Sequence, residues 1–301
     1  MHKSVLLQEV IEGLHLHDNS VVLDGTFGAG GHSLEICKRF PSTKIIAIDE
    51  DQGALDSAKE KFKDAKCEVV YNNDNFRNLD KVLASAGIAM VDGIILDIGL
   101  SSDQLENSGR GFSFMKDEPL LMTFGSHKDM KENPSSEILT AEDVVNDWSE
   151  DSLEKIIAGY GEEKFAKRIA RGIVDAREMG RVKTTSELVA VIEDSVPAGY
   201  RKGRMNCATK TFQALRIAVN DELGALSEGL EKGFEVLQSG GRMAVISFHS
   251  LEDRIVKQFN IKKSAEGRGK IITKRPITAS IDELKANPRA RSAKLRIIEK
   301  I

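Results

Sequence analysis

The chain is poor in the residues that mark secreted and membrane proteins. Its 301 residues include three cysteines, Cys37, Cys67 and Cys207, far apart and without a CxxC pair. Neither a disulfide framework nor a thiolate metal site is therefore expected, and the three read as small buried hydrophobes in a reducing compartment. No uncharged apolar run approaches the length that a bilayer needs, and the opening MHKSVLLQEVIEGLHL carries polar residues every few positions where a signal peptide would be apolar. A cytoplasmic protein without membrane association is expected. The six histidines are scattered; His15 and His17 suit a surface role better than metal ligation, and no metal site is expected. Internal repeats and low-complexity tracts are missing too. What remains is a globular composition, 41% hydrophobic and long enough for one large domain or two ordinary ones.

A net charge of −4 would not suggest a nucleic-acid partner, but the charge is segregated. Asp103 to Glu163 has a balance of −10, and Lys257 to Ile301 one of +9. Between them RKGRMNCATKTFQALR, Arg201 to Arg216, has five bases and no acid. Phosphate binding depends on local potential, so the basic segments could hold a polyanion although the whole chain is acidic. Solvated charged faces are the competing explanation.

Short Val- and Ile-rich runs at 20–24, 44–49, 67–72 and 91–97 alternate with helical spacing at about 31–40, 51–62 and 78–86. This alternation gives parallel strands with right-handed crossovers, hence an α/β, Rossmann-like, doubly wound and mostly parallel sheet. Ligands in such sheets sit beyond the carboxyl ends of the strands, where the loops after Asp24, Asp49, Asn72 and Asp97 lie. From about residue 105 the pattern becomes loop-rich and then purely helical, with Thr140 and Thr184 or Thr185 as N-caps. The α/β pattern resumes with ATKTFQALRIAVNDELGALSEGLEKGFEVLQSGG, read as one long helix with a glycine stop, and the strand RMAVISFH. KIITKRPI and AKLRIIEK are two further strands able to pair antiparallel at a sheet edge. The expected organisation is thus 1–104 and 208–301 as two parts of one α/β domain, with 105–207 as an inserted all-helical domain for substrate.

VLDGTFGAGGHS, Val22 to Ser33, is a glycine loop after the first strand. A dinucleotide loop needs G-x-G-x-x-G, but Ser33 stands at the third glycine position. The strand also ends in Asp24, whose carboxylate is unfavourable near a pyrophosphate and suitable near a cationic amine or sulfonium. S-adenosylmethionine carries both cations, and its carboxylate can meet the helix N-terminus near Gly31. Asp49, eighteen residues after Gly31, suits a ribose hydroxyl of either cofactor. Glycines serving only a tight turn are a third explanation. At the fourth strand, LDIGLSSDQL places Asp97 at the crevice, with Ser101 and Ser102 beyond it. Methylating a conjugated exocyclic amine needs acceptors on its N–H groups, and Asp97, Ser101 and Ser102 could supply them, although turn and cap duty also explains the serines.

With GTFGAGGHS, AIDED, LDIGLSSDQL, GRGFSF, GEEKFAKRIAR, TFQALRIAVNDEL, ISFHSLEDRIVK and NPRARSAKLR in this order, the sequence closely resembles the RsmH, or MraW, family from His2 almost to its C-terminus. These are bacterial S-adenosylmethionine-dependent methyltransferases acting on N4 of a cytidine in the decoding centre of 16S rRNA in the small ribosomal subunit. The resemblance implies a class I methyltransferase domain with an inserted helical domain. It also implies methyl-donor contacts at Gly30, Gly31, His32, Asp49, Phe76, Asp97 and Gln104. RNA backbone is then expected over Lys164 to Lys183, Arg201 to Arg216 and the basic C-terminal part, with Lys210, Arg216, Arg289 and Arg291 as phosphate contacts. His249 either positions substrate or fixes its own loop through Glu252 or Asp253.

Where the family usually reads Asp-Met-Arg-Met, this chain has Leu121-Met122-Thr123-Phe124, with Asp117 and Glu118 as candidates for partial compensation. Lys210 stands where the family commonly has Arg. A donor-binding ribosome-assembly factor with weak or no methylation is therefore a second hypothesis, and a dinucleotide-dependent oxidoreductase a third. The oligomeric state is left open, a dimer included.

Overall fold

The computed structural model describes residues 4–100, 104–105, 107–124, 138–203 and 205–301. Contacts divide the chain into two compact units, Met1–Gly99 with Leu223–Ile301, and Leu100–Glu222.

In the first unit, α1 (Leu7–Leu14) precedes β1 (Val21–Asp24), α2 (Gly31–Arg39), β2 (Lys44–Asp49), α3 (Gln52–Lys61) and β3 (Glu68–Asn73). A 3-10 turn at Phe76–Asn78, α4 (Leu79–Ser85) and β4 (Val91–Asp97) follow. These strands and crossovers match the apolar runs and helical spacing closely, because each strand is a Val/Ile run bounded by polar residues. The seven-stranded sheet has the order β3-β2-β1-β4-β5-β7-β6, where β5 is Leu237–Ser247, β6 Gly269–Ile271 and β7 Lys294–Lys300. The pairs from β3 to β5 are parallel, whereas β7 runs antiparallel to β5 and β6. This is the mostly parallel sheet with an antiparallel edge that the sequence leads one to expect.

Alternate strand residues feed two cores. Val22, Ile45, Ala47, Ile95, Ala244 and Ile297 pack with α1, α2 and α3, while Leu23, Ile46, Ile48, Ile94, Leu96 and Val245 face α4 and the later helices. Both faces of the sheet are covered, so its strands are apolar throughout rather than alternating with polar positions.

The second unit contains α5 (Ala141–Asp147), α6 (Glu150–Gly159), α7 (Ala166–Met179), α8 (Thr185–Ser195), the short α9 (Ala198–Arg201) and α10 (Thr209–Asn220). Thr140 and Thr184 begin α5 and α8 in reciprocal capping boxes with Asp143 and Glu187. Leu153, Ile157, Ile169, Ile173, Leu188, Ile192 and Leu215 are fully buried in one core here.

Three expectations differ from what is found. The long helix is two, α10 and α11 (Glu222–Val236), because Asp221 is left-handed at φ 47° and closes α10 with its N–H on the Ile217 carbonyl. Asp tolerates that conformation better than most residues, so the break leaves the apolar periodicity intact. The glycine pair after α11 is no helix stop: Gly240 and Gly241 lie inside β5, where the register with β4 shifts between Val91 and Gly93. The α10 segment accordingly groups with the helical unit, whose observed ends are Leu100 and Glu222. Finally, Cys37 and Cys67 form a disulfide, their Cα atoms 5.3 Å apart. Cys37 is on α2 and Cys67 just precedes β3, and their separation of 30 residues gives no hint that the βαβ crossovers bring them together. Cys207 is free and buried, as expected. Among the described residues no helix is long and apolar enough to cross a membrane.

Candidate functional site

The glycine loop leaves β1 at Asp24 and enters α2 at Gly31, over the carboxyl edge of the sheet. Gly30 is the N-cap of α2 at φ 72°, and a Cβ there would lie 2.6 Å from Phe62 and 2.8 Å from Phe27. Only glycine satisfies both the left-handed backbone and the close approach of these rings. Gly28 is left-handed as well, at φ 51°, and its N–H donates to Asp49 Oδ2 at 2.6 Å. The other Asp49 oxygen accepts from the Asp51 N–H at 2.8 Å. The carboxylate at the end of β2 thus ties the loop to the neighbouring strand.

Asp24 is 2% exposed. Its Oδ2 accepts from Ser33 Oγ at 2.6 Å, so the serine in place of a third glycine supplies a partner for the strand-end carboxylate. Burial raises the Asp24 carboxyl to about 6, against the lowering effect of that hydrogen bond and of His32. Asp97, at the end of β4, donates its backbone N–H to Thr26 Oγ1 at 2.6 Å. Its Oδ2 lies 3.9 Å from His32 Nδ1, and its Oδ1 is buried with no hydrogen-bond partner. Burial first, then the Glu252 charge, raises this carboxyl to about 7. His32 is itself buried, with Nε2 against the Val5 carbonyl at 3.0 Å, and burial lowers its pKa. Phe76 packs beside Gly25 and Gly229, where a Cβ would come within 3.1 Å and 2.6 Å of it.

Gly30, Gly31, His32, Asp49, Phe76 and Asp97 therefore gather at the carboxyl ends of β1 to β4 in one unit. Two buried carboxylates, one with an unpartnered oxygen, suit a ligand carrying a cationic amine and a sulfonium and are unfavourable for a pyrophosphate. The residues present thus fit S-adenosylmethionine. Gln104 belongs to the second unit, where its carbonyl accepts from Ser108 Oγ at 2.6 Å. Ser101 and Ser102 lie outside the described residues.

The basic residues divide into two kinds. Arg289 and Arg291 are exposed on the 3-10 turn Pro288–Ser292. Lys210 turns its Nζ to the Glu162 carbonyl at 2.7 Å, and Arg216 makes two hydrogen bonds to Glu222, at 2.7 and 2.9 Å. With side chains only 16% and 6% exposed, the latter pair serves the fold first. In the 164–183 stretch, Arg171 pairs with Asp175 and Arg181 with Asp147, while Arg177 donates to the Val145 and Trp148 carbonyls.

His249 fixes its own loop: it is the N-cap of α12 (Ser250–Ala265) in a capping box with Glu252. The segment that departs from the family pattern is equally well held. Asn220 accepts from the Phe124 N–H and donates to the Met122 carbonyl. The buried Arg110 donates to the Thr123 and Phe124 carbonyls at 3.1 and 2.7 Å. A guanidinium therefore sits against this segment although position 123 has none, a contact that GRGFSF gave no means of predicting. Asp117 and Glu118 accept from the Ser186 and Gly111 N–H groups, so they bind backbone rather than stand open as replacements.

The MraW methylase family matches residues 1–301. A ribosomal RNA small subunit methyltransferase H from Persephonella marina is 43% identical over 300 residues, covering 100% of this chain and 99% of that protein. Its counterpart from Clostridium botulinum is 44% identical over 316 residues, with the same coverage. Among solved structures, an rRNA methylase from Streptococcus thermophilus aligns over 100% of this chain and 99% of its own at 12% identity, with a TM-score of 0.43. The chain belongs to the MraW methylase family.

Proposed function

We propose that this protein is an rRNA methyltransferase that transfers the methyl group of S-adenosylmethionine to N4 of a cytidine in the decoding centre of 16S rRNA. The observation that carries the reading is full-length identity of 43–44% with two proteins named small subunit rRNA methyltransferases. The N4 position and the cytidine rest on the motif resemblance, and the chemistry of Asp97 supports them.

When bound, the donor would supply an electrophilic methyl group on a sulfonium, open to attack at carbon by an amine lone pair as the S–C electron pair returns to sulfur. Asp97 would accept an N–H of the target amine and take up the proton that the methylated nitrogen must lose. A carboxyl raised to about 7 is matched to that exchange near neutral pH. Thr26 fixes the backbone of Asp97, Asp24 would balance the cationic donor, and Gly30 to His32 together with Asp49 would hold the donor's methionine and ribose portions. Arg289 and Arg291, exposed on one turn, are the proposed phosphate contacts of the described chain, and the small subunit is the proposed partner.

Leu121 and Thr123, in place of a carboxylate and a guanidinium, favour a second reading, a donor-binding assembly factor. One assay separates the two. Small subunits from cells lacking the gene are incubated with enzyme and labelled S-adenosylmethionine, then digested to nucleosides. Label in N4-methylcytidine is expected; donor binding without label would favour the assembly role.

A further inference from the structure

The capping box at the start of α12 uses only half of each of its two side chains. The backbone N–H of Glu252 donates to His249 Nδ1, and Glu252 Oε2 accepts from the Phe248 and His249 N–H groups at 2.8 and 3.2 Å. The remaining atoms, His249 Nε2 and Glu252 Oε1, lie 3.0 Å apart, in an orientation that makes no hydrogen bond. Both are buried and without a hydrogen-bond partner, each the other's contact at ion-pair distance. The side chains are 11% and 1% exposed. An N-cap needs only a small acceptor such as Ser, Asp or Asn, so the cap explains neither an imidazole nor two unspent polar atoms at a desolvation cost.

Their place in the sheet is specific. β4 and β5 are parallel neighbours, Asp97 is in register with Ile246, and the Ile98 N–H donates to the Ile246 carbonyl at 2.9 Å. Three residues past Ile246 the chain reaches His249, so the pair stands at the same crevice edge as Asp97. After burial, the Glu252 charge is the second cause that raises the Asp97 carboxyl. Asp97 Oδ1, the third buried and unpartnered atom, completes a set of two acceptors and an imidazole nitrogen.

We propose that His249 Nε2, Glu252 Oε1 and Asp97 Oδ1 form the subsite that reads the amidine edge of the target base, an inference that rests on the base-methylation reading above. The exocyclic amine donates one N–H to Asp97 and the other to Glu252, while the adjacent ring nitrogen accepts from His249 Nε2–H. Methylation removes the proton on the Asp97 side and leaves the hydrogen bond to Glu252 in place. Uracil presents a carbonyl and a ring N–H in these positions and would leave the buried carboxylate and imidazole mispaired, which gives selection for cytosine.

The test separates the two nitrogens of one imidazole. His249→Asn keeps an acceptor where Nδ1 caps the helix and deletes Nε2; His249→Gln places an N–H near Nε2 and weakens the cap. Single-turnover methylation of small subunits, donor affinity by calorimetry and thermal melting are measured for both variants and for Glu252→Gln. His249→Asn and Glu252→Gln should melt and bind S-adenosylmethionine nearly as wild type and methylate about 100-fold more slowly. His249→Gln should melt earlier and keep most of the rate. A His249→Asn variant with undiminished methylation would refute the subsite alone, as would rates that follow melting temperature across all three variants. Loss of wild-type activity to a chelator, with Mg²⁺ binding that His249→Asn abolishes, would make the pair a metal site instead. Absence of N4-methylcytidine with wild-type protein would refute the methylation reading, and the subsite with it.

Discussion

Ser33 Oγ donates to Asp24 Oδ2 at 2.6 Å, across a buried turn that links the last residue of β1 to the first turn of α2. The hydrogen bond lowers the pKa of a carboxyl that burial has raised to about 6. Ser33→Ala should therefore raise that pKa further and cost about 1–3 kcal/mol where Asp24 is ionised. Melting curves at pH 8 and pH 5 check this. The loss should be larger at pH 8, and donor affinity at pH 8 should fall with it.

Asp97 gives the pH dependence its sign. Its folded pKa of about 7 lies above the unfolded value of 3.8, so the native state holds more protons between those limits. The contribution of Asp97 to stability accordingly falls as pH rises through that window. Asp97→Asn should raise the melting temperature of the donor-free protein at pH 8 by about 2 °C or more, and by less at pH 5. Wild-type affinity for S-adenosylmethionine should rise between pH 6 and pH 8 as Asp97 ionises, and the same substitution should flatten that rise, which calorimetry measures.

The arginines should separate by burial. Arg216→Ala removes one partner of a pair that is 16% and 6% exposed and should destabilise the protein by about 3–5 kcal/mol. Arg289→Ala and Arg291→Ala, on an exposed turn, should leave melting unchanged. Each should reduce the slope of log affinity for RNA against log salt by about one. Denaturant melts and a salt series on RNA binding distinguish the classes, and a strongly destabilised Arg289→Ala would contradict this division.

Cys37 and Cys67 join α2 to the start of β3 across 30 residues of chain. Closing a loop of that length is worth about 3–4 kcal/mol in the chain-entropy account. Reduction should lower the melting temperature by several degrees, and peptide mapping without reductant should recover the two cysteines linked. Two free-thiol peptides and a melting temperature indifferent to reductant would overturn the pairing.

Much of the fold lies in local pattern. The strand ending at Asp49 and the one ending at Asp97 are bounded Val/Ile runs whose type and limits follow from their own residues, and Thr140 and Thr184 announce their helices by cap chemistry. The preference for a cationic ligand was also legible, from Asp24 and the Ser33 that replaces a glycine. The break at Asp221 was not, since the helical periodicity of 209–236 continues on both sides of one left-handed residue. Other relationships join residues far apart in the chain: Cys37 with Cys67, Arg110 with the Thr123 and Phe124 carbonyls, and the β5 edge at His249 beside Asp97. Sequence by itself determined which elements form, because strand pattern, cap and glycine loop are decided within a few residues. Only the tertiary structure decided which polar atoms meet and which stay unpaired, because burial, and with it the carboxyl raised to about 7 at Asp97, depends on neighbours that chain folding brings from elsewhere.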